Sequence, residues 1–311
     1  MSDTLGAIPT RPGRSRRVLV TGAASGLGQA LVRRFAAEGA EVLATDRHEQ
    51  VMPGVLPAGV AYLRVDVTDD ADWAAARAWV EEHWGGLDVL CNNAGIAQGG
   101  RFELMRESDW QRIIDVNLLG VVRGCQAFVP MMKAQRSGQI ANTASLAGLV
   151  HAPMMATYNT VKAAVVALSE TLDHELDPYG ITVSAICPSF FRTALAESLA
   201  GEDDAAISAA RRLIDRAPRS ADDVADRVLR GIDRRRPVIL TDRDGRVAWL
   251  AKRFARPLYH FALDQAAARA AREEVARRAA ATAPGSTDQV RSSTVTKDTA
   301  TAGTTTAGTG R

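Results

Sequence analysis

Tyr158 and Lys162 stand four residues apart, and Ser145 lies thirteen residues before the tyrosine. If the chain is helical from Pro153 onward, positions 158 and 162 lie one above the other on a single helix face. A phenol titrates near ~10, too high for proton transfer at neutral pH. An ammonium one helical turn away favours the phenolate and lowers that value. Such a tyrosine can give a proton to a carbonyl oxygen or take one from an alcohol. Ser145 follows residues 139–144, which read as a buried strand. A hydroxyl at that strand's end can hydrogen-bond the same substrate oxygen. A plain surface Tyr–Lys pair on an amphipathic helix has the same spacing, so the pair gains weight only from its company.

That company begins at residues 17–21, a short apolar run that reads as a buried strand. Gly22-Ala23-Ala24-Ser25-Gly26-Leu27-Gly28 follows, then a helical pattern over 29–38. In a strand, glycine loop, helix context, the glycines let backbone approach a pyrophosphate and the helix N-terminus supplies N–H groups. The spacing is G-x3-G-x-G, and a plain glycine turn is the simpler alternative. Residues 41–46 read as the second strand. Asp46 at its end can hydrogen-bond a ribose 2′-hydroxyl and would repel a 2′-phosphate. Arg47 beside it could accept that phosphate, so NAD is the expected cofactor and NADP stays open.

Residues 61–65 read as a third strand ending at Asp66 and Val67, and 69–84 as a helix with Thr68 as its N-cap. A fourth strand, 87–91, runs into Asn92-Asn93-Ala94-Gly95, at the end of the strand where open α/β sheets bind ligands. Residues 108–133 have helical periodicity and enclose Asn117, either a satisfied structural amide or a catalytic one. A sixth strand, 180–186, leads to Cys187-Pro188-Ser189-Phe190-Phe191-Arg192-Thr193. Residues 195–219 read as a polar, alanine-rich insertion. Ser220-Ala221-Asp222-Asp223 opens a helix with a capping-box pattern, and 237–241 is a last strand.

Strands alternating with helices predict an α/β fold: a doubly wound (Rossmann) parallel sheet of about seven strands flanked by helices, with a C-terminal helical extension. The organisation expected is a flexible arm over 1–15, the Rossmann domain over 16–242, an amphipathic helical extension over 243–281, and a disordered tail over 282–311. The extension interleaves Arg243, Arg246, Lys252, Arg253 and Arg256 with Val247, Trp249, Leu250, Phe254, Leu258, Tyr259 and Phe261. Pro257 should bend or break it. Such a segment can pack on the core, cover a pocket, meet a second subunit, or lie peripherally in a membrane interface through 243–263.

Of 311 residues, 46% are hydrophobic and 24% charged, ordinary for a soluble globular protein. A formal net charge of +2 demands no anionic partner, and no nucleic-acid reading element is visible. Cys91, Cys125 and Cys187 match neither a zinc spacing nor a disulfide framework. Cys91 and Cys187 read as buried small hydrophobes, a reducing cytoplasm fits, and no metal is expected. No apolar run approaches the ~18 residues of a spanning helix.

Together these residues resemble the short-chain dehydrogenase/reductase family in its shorter, single-domain branch, over about residues 16–241. Thr21-Gly22-x3-Gly26-x-Gly28 resembles its TGxxxGxG loop and Asn92-Asn93-Ala94-Gly95 its NNAG motif. Asn117, Ser145, Tyr158 and Lys162 resemble its catalytic tetrad in order and spacing. The resemblance implies roles. Tyr158 exchanges the proton, Lys162 lowers the tyrosine pKa and binds the nicotinamide ribose, and Ser145 polarises the substrate oxygen. Asn117 holds a water that links Lys162 to solvent. The loop residues Thr21, Gly22, Ser25, Gly26, Leu27 and Gly28 bind cofactor with Asp46 and Arg47. Asp66 and Val67 surround the adenine, Asn93, Ala94 and Gly95 lie by the adenosine ribose, and Pro188 and Thr193 lie near the nicotinamide. One departure is visible: Ser189 replaces the glycine of the family's Pro-Gly. The implied protein is an NAD(P)-dependent alcohol dehydrogenase or carbonyl reductase and a homo-oligomer. A silent dinucleotide-binding sensor or scaffold is the alternative class. Leu146, Leu149, Met154, Met155, Phe190, Phe191, Leu195 and Leu199 on the expected pocket loops point to a lipophilic small-molecule substrate, with Arg192 the one anion binder.

Overall fold

The computed structural model describes residues 15–199 and 203–282. The arm and tail expected at the two ends fall largely outside them. Seven strands form one parallel sheet: β1 (Arg17–Thr21), β2 (Glu41–Asp46), β3 (Ala61–Arg64), β4 (Val89–Asn92), β5 (Gly138–Thr143), β6 (Ile181–Cys187) and β7 (Val238–Leu240). Their order is β3-β2-β1-β4-β5-β6-β7. The direction of winding therefore reverses between β1 and β4, where such sheets open a crevice at their C-terminal ends.

Alternation along each strand explains how both faces are covered. Leu19, Leu43, Leu90 and Ile140 point to one face, where they pack with Trp73 of α2 (Asp70–Trp84), Phe128 of α4 (Gly120–Gln135) and Val165 of α5 (Ala156–Leu176). Val18, Val20, Val42, Val89, Cys91 and Ala141 point to the other. There they meet Leu31 and Phe35 of α1 (Gly26–Ala37) and Val228 and Leu229 of α7 (Ala221–Asp233). The three cysteines are buried and free, packed like small hydrophobes.

Several local readings need correction. The N-cap of α2 is Asp69, which accepts from Ala71 N–H at 2.8 Å. Thr68 instead donates its N–H and its hydroxyl to Asp66. The long helix expected over 108–133 is two helices, α3 (Glu107–Ile114) and α4, joined by a π-helical turn, Asp115–Leu119. Together, Glu107–Gln135 is long and apolar enough to cross a membrane. Yet Val121, Cys125, Phe128 and Met132 of α4 are buried in the core of the sheet, so its apolar face is already used. The segment 195–219 is no mere polar insertion. It holds a 3-10 turn, Ala194–Ser198, and α6 (Asp204–Asp215), and α6 buries Ile207 and Ile214 against Ala97 and Leu199.

The capping box at Ser220 opens α7 as expected. Beyond β7, α8 (Arg243–Phe254) and α9 (Arg256–Thr282) are separate helices. Pro257, lacking an N–H to donate, stands in the first turn of α9, where that loss costs little. By contacts the chain forms two units, one through Ala266 and one from Ala267. In the second, the described residues continue α9.

Candidate active site

The ends of β1, β4 and β5 are tied into one platform by two hydroxyls. Thr21 Oγ1 accepts from the N–H groups of Asn93 at 2.9 Å and Ala94 at 3.0 Å. Asn93 Nδ2 donates back to Thr21 O at 3.0 Å, and the Thr143 hydroxyl donates to Asn93 Oδ1 at 3.3 Å. The expected nucleotide motif and the expected catalytic strand are thus one hydrogen-bonded unit.

The glycine loop folds tightly over this platform. Gly26 has φ +53°, and a Cβ there would lie 2.6 Å from Thr193 Oγ1. Thr193, on the loop after β6, therefore closes directly onto the start of α1. Ser25 is the exposed N-cap of α1, and its side chain caps nothing. No acidic residue stands in that first turn. Unmatched N–H groups with the positive end of the helix dipole can receive an anion such as a pyrophosphate. Leu27 and Gly28 are buried.

Asp46 ends β2 beneath the loop. Its Oδ2 accepts from Ala24 N–H at 3.0 Å, and its Oδ1 pairs with His48 Nδ1 at 2.7 Å. Arg47 is exposed. Val67 is buried. Burial works against the Asp66 carboxylate, but the two hydrogen bonds from Thr68 prevail and hold its pKa below the ordinary value.

Asn117 stands in the π-turn and is fully buried. Its Oδ1 accepts from Ile96 N–H at 2.8 Å and its Nδ2 donates to Ile96 O at 2.9 Å. These two hydrogen bonds fix the amide and leave it one N–H and one lone pair to spare. A Cβ on Gly95 would lie 3.2 Å from Asn117 Oδ1 and 3.7 Å from Lys162 Nζ. Asn117 and Lys162 thus face each other across a glycine.

The helix α5 presents Tyr158 and Lys162 on one face, both buried. Lys162 Nζ lies 5.7 Å from the Tyr158 ring centroid and donates to Thr143 O at 2.7 Å. Ser145, at the start of a 3-10 turn (Leu146–Gly148), hydrogen-bonds the Tyr158 phenol. A Cβ on Gly148 would lie 2.5 Å from Lys162 O, so only glycine lets this turn approach α5 closely enough to bring serine to tyrosine. The structure therefore gathers Asn117, Ser145, Tyr158 and Lys162 in one place.

The electrostatics differ from expectation. Burial pushes the Tyr158 phenol up to about 12, with the Ser145 hydrogen bond only partly opposing it. Burial also pulls the Lys162 ammonium down to about 8, with a nearby thiol, Cys187, opposing. Desolvation outweighs the lysine's attraction in the chain by itself.

The expected pocket list divides. Phe191 and Leu199 are buried in the packing. Met155 packs near Tyr158, and Leu195 against the α6 cluster. Phe190 is exposed, and Leu146 and Met154 are partly so. Arg192 Nη1 donates to Ala217 O at 2.6 Å. Met154 takes a left-handed φ of 63°, while its carbonyl accepts from Gly100 N–H at 2.8 Å. Gly100 also stands against Asp203, the N-cap of α6, which pairs with Arg101 at 2.8 Å.

Two features escape a sequence reading. Thr143 orients Lys162 through a backbone carbonyl, which no residue type announces. Ser189, in place of glycine, donates to Asp242 Oδ2 at 2.5 Å. Asp242 is the N-cap of α8, accepting from Gly245 N–H at 2.6 Å. The loop after β6 is thereby fastened to the C-terminal extension. The signal was the serine itself, but its partner lies 53 residues away.

Comparison with known proteins agrees with this geometry. Residues 16–204 match the family described as short chain dehydrogenase. The chain is 37% identical over 187 residues to a 3-oxoacyl-(acyl-carrier-protein) reductase of Thermotoga maritima, covering 58% of this chain and 76% of that one. It is 38% identical over 182 residues to a 3-alpha-(or 20-beta)-hydroxysteroid dehydrogenase of Mycobacterium bovis, covering 58% and 70%. A short chain dehydrogenase/reductase from Burkholderia phymatum, solved in complex with NAD, superposes with TM-score 0.73 at 31% identity, covering 78% of this chain and 95% of that one. A short-chain dehydrogenase from Sphingobium yanoikuyae in complex with NADPH gives TM-score 0.66 at 29% identity, covering 78% and 94%. The seven-stranded parallel sheet and the match over more than half its length make this chain a member of the short-chain dehydrogenase/reductase family of NAD(P)-dependent oxidoreductases.

Proposed function

We propose that this oxidoreductase interconverts an alcohol and a ketone or aldehyde, with a lipophilic substrate and NAD as the cofactor. The observation that carries the reading is the buried phenol of Tyr158, hydrogen-bonded to Ser145 with the Lys162 nitrogen 5.7 Å from its ring. Tyr158 is the general acid or base at the substrate oxygen. Ser145 holds that oxygen, and Lys162, anchored on Thr143 O, supplies positive charge below the phenol. Asn117 has the spare amide capacity to hold a water beside Lys162.

The residues fit a dinucleotide. The uncapped start of α1 suits phosphates, with Thr21, Gly22, Ser25, Gly26, Leu27 and Gly28 forming the loop. Asp46 is assigned the adenosine ribose, Asp66 and Val67 the adenine, Asn93, Ala94 and Gly95 the strand side, and Pro188 and Thr193 the nicotinamide. Bound NAD(P) would supply the hydride acceptor or donor. A negative Asp46 opposes a 2′-phosphate. The second reading, an NADPH-dependent carbonyl reductase, is favoured by exposed Arg47, whose charge reaches Asp66. The solved relatives carry NAD in one case and NADPH in the other. Partly exposed Leu146, Leu149, Met154, Met155 and Leu195, with Phe190, support a lipophilic substrate. A cytoplasmic setting suits three free thiols.

Tyr158→Phe should lower kcat by about 10²–10⁴-fold while cofactor binding survives, because the ring still packs. Retention of more than about a tenth of kcat would remove Tyr158 as the essential acid. Isothermal titration should find NADH bound more tightly than NADPH, and the reverse order would hand the site to Arg47. Across a series of straight-chain alcohols, kcat/KM should rise by up to about fourfold per added methylene, ~0.8 kcal/mol each. A flat or falling series rejects the lipophilic pocket.

Lys162 yields a pH prediction. Its folded pKa of about 8 lies below the ordinary 10.5. Between those values the unfolded chain holds a proton that the folded chain has lost, so stability rises with pH in that window. Wild type should therefore gain up to ~3 kcal/mol on Lys162→Met between about pH 8 and about pH 10.5. Denaturant midpoints of both proteins across that range measure it. A constant difference would mean that the folded lysine titrates at its ordinary value.

A further inference from the structure

We propose that the outward face of α8 docks on an anionic lipid surface. The surface lies outside the site, so the proposal does not depend on the substrate assigned above.

One face of α8 is already committed to the protein. Asp242 caps it and holds Ser189. A Cβ on Gly245 would lie 3.3 Å from Leu146. Lys252 Nζ donates to Leu149 O at 2.6 Å. Just beyond the helix, Tyr259 Oη accepts from His151 N–H at 3.2 Å. Gly245 and Lys252 are seven residues apart and share one side of the helix. These contacts fix α8 at its start and near its end, and so fix the direction of its opposite side.

That opposite side is apolar and open. Val247, Leu250 and Phe254, at spacings of three and four, are 65%, 40% and 77% exposed. The first turns of α9 expose Leu258 at 67% and Phe261 at 62%. Large apolar side chains grouped this way on a soluble surface mark a contact site. At 100° per residue, Arg243 falls within the apolar face and Arg246 and Arg253 along one edge. All three are exposed, as is Arg256, the first residue of α9. Among the described residues none of the four forms a salt bridge. Over residues 243–263 the basic side chains are Arg243, Arg246, Lys252, Arg253 and Arg256, and the one acid is Asp244, on the far edge.

This charge pattern selects the occupant. A second copy meeting the same face across a twofold axis would set arginines against arginines. Lipid phosphates give those arginines partners, while the acyl boundary receives Val247, Leu250 and Phe254. Long arginine side chains can extend sideways to the headgroups from such a face.

The test is co-sedimentation of the full chain with vesicles of phosphatidylglycerol and phosphatidylcholine, against vesicles of phosphatidylcholine alone. Binding is expected on the anionic vesicles and should weaken as salt is raised. Val247→Glu combined with Phe254→Glu should weaken it by about tenfold or more, with turnover and thermal midpoint unchanged. Arg246→Glu combined with Arg253→Glu should remove the preference for anionic vesicles. Should the acidic variants misfold, the salt titration on wild type and the Trp249 fluorescence on vesicle addition still decide. Negligible sedimentation of wild type with anionic vesicles overturns the proposal. So does a wild-type dimer, seen by sedimentation velocity, that Phe254→Glu dissociates while lipid binding stays absent.

Discussion

A buried ammonium is the constraint on which this structure turns. Lys162 is only 3% exposed, and burying such a group is costly unless its donors are met. Thr143 O meets one of them, which requires β5 to end where it does. Gly148 permits the Ser145 turn to press on α5 at the same residue. Gly95 leaves the gap through which Asn117 faces the lysine. Each neighbour of the catalytic candidates is thus chosen by the lysine's needs before any substrate arrives. The sheet contributes rigid strand ends, which the Thr21–Asn93–Thr143 hydrogen bonds lock together.

What was legible in the sequence were features set by residue type and short spacing. Tyr158 and Lys162 share a face because helical periodicity is local, and the loop after β1 announces itself by its glycines. The alternation of strands and helices was enough to expect a seven-stranded parallel sheet. What was not legible depended on distance or burial. The pKa values of Tyr158 and Lys162 moved away from each other because both side chains are desolvated, and no spacing reports desolvation. The α2 cap passed from Thr68 to Asp69 because Thr68 was drawn into serving Asp66. Phe191 and Leu199 read as pocket residues, but apolar loop residues and core residues look alike in one dimension. The α6 region looked like an insertion because its apolar residues are few and widely spaced.

The Ser189–Asp242 contact joins two parts that a domain diagram separates. Asp242 is both the cap of α8 and the acceptor for the loop after β6. Burial opposes its charge, but these hydrogen bonds prevail and keep its pKa below the ordinary range. The carboxylate that starts the extension is therefore also a brace for the loop carrying Thr193. Where the family pattern has a glycine free to bend, this chain has a side chain that holds on.

The π-helical turn at Asp115–Leu119 works as a phase shifter. One residue more per turn than an α-helix turns everything beyond it by about 100° relative to an uninterrupted helix. Asn117 can then serve Ile96 on one side while Val121, Cys125, Phe128 and Met132 still fall on the sheet. An unbroken helix would have to give up one of these two alignments. Loss of a single residue here would close the turn into ordinary α-helix and leave Val121, Cys125, Phe128 and Met132 facing the sheet, so the extra residue serves the seat of Asn117 and not the core face of α4.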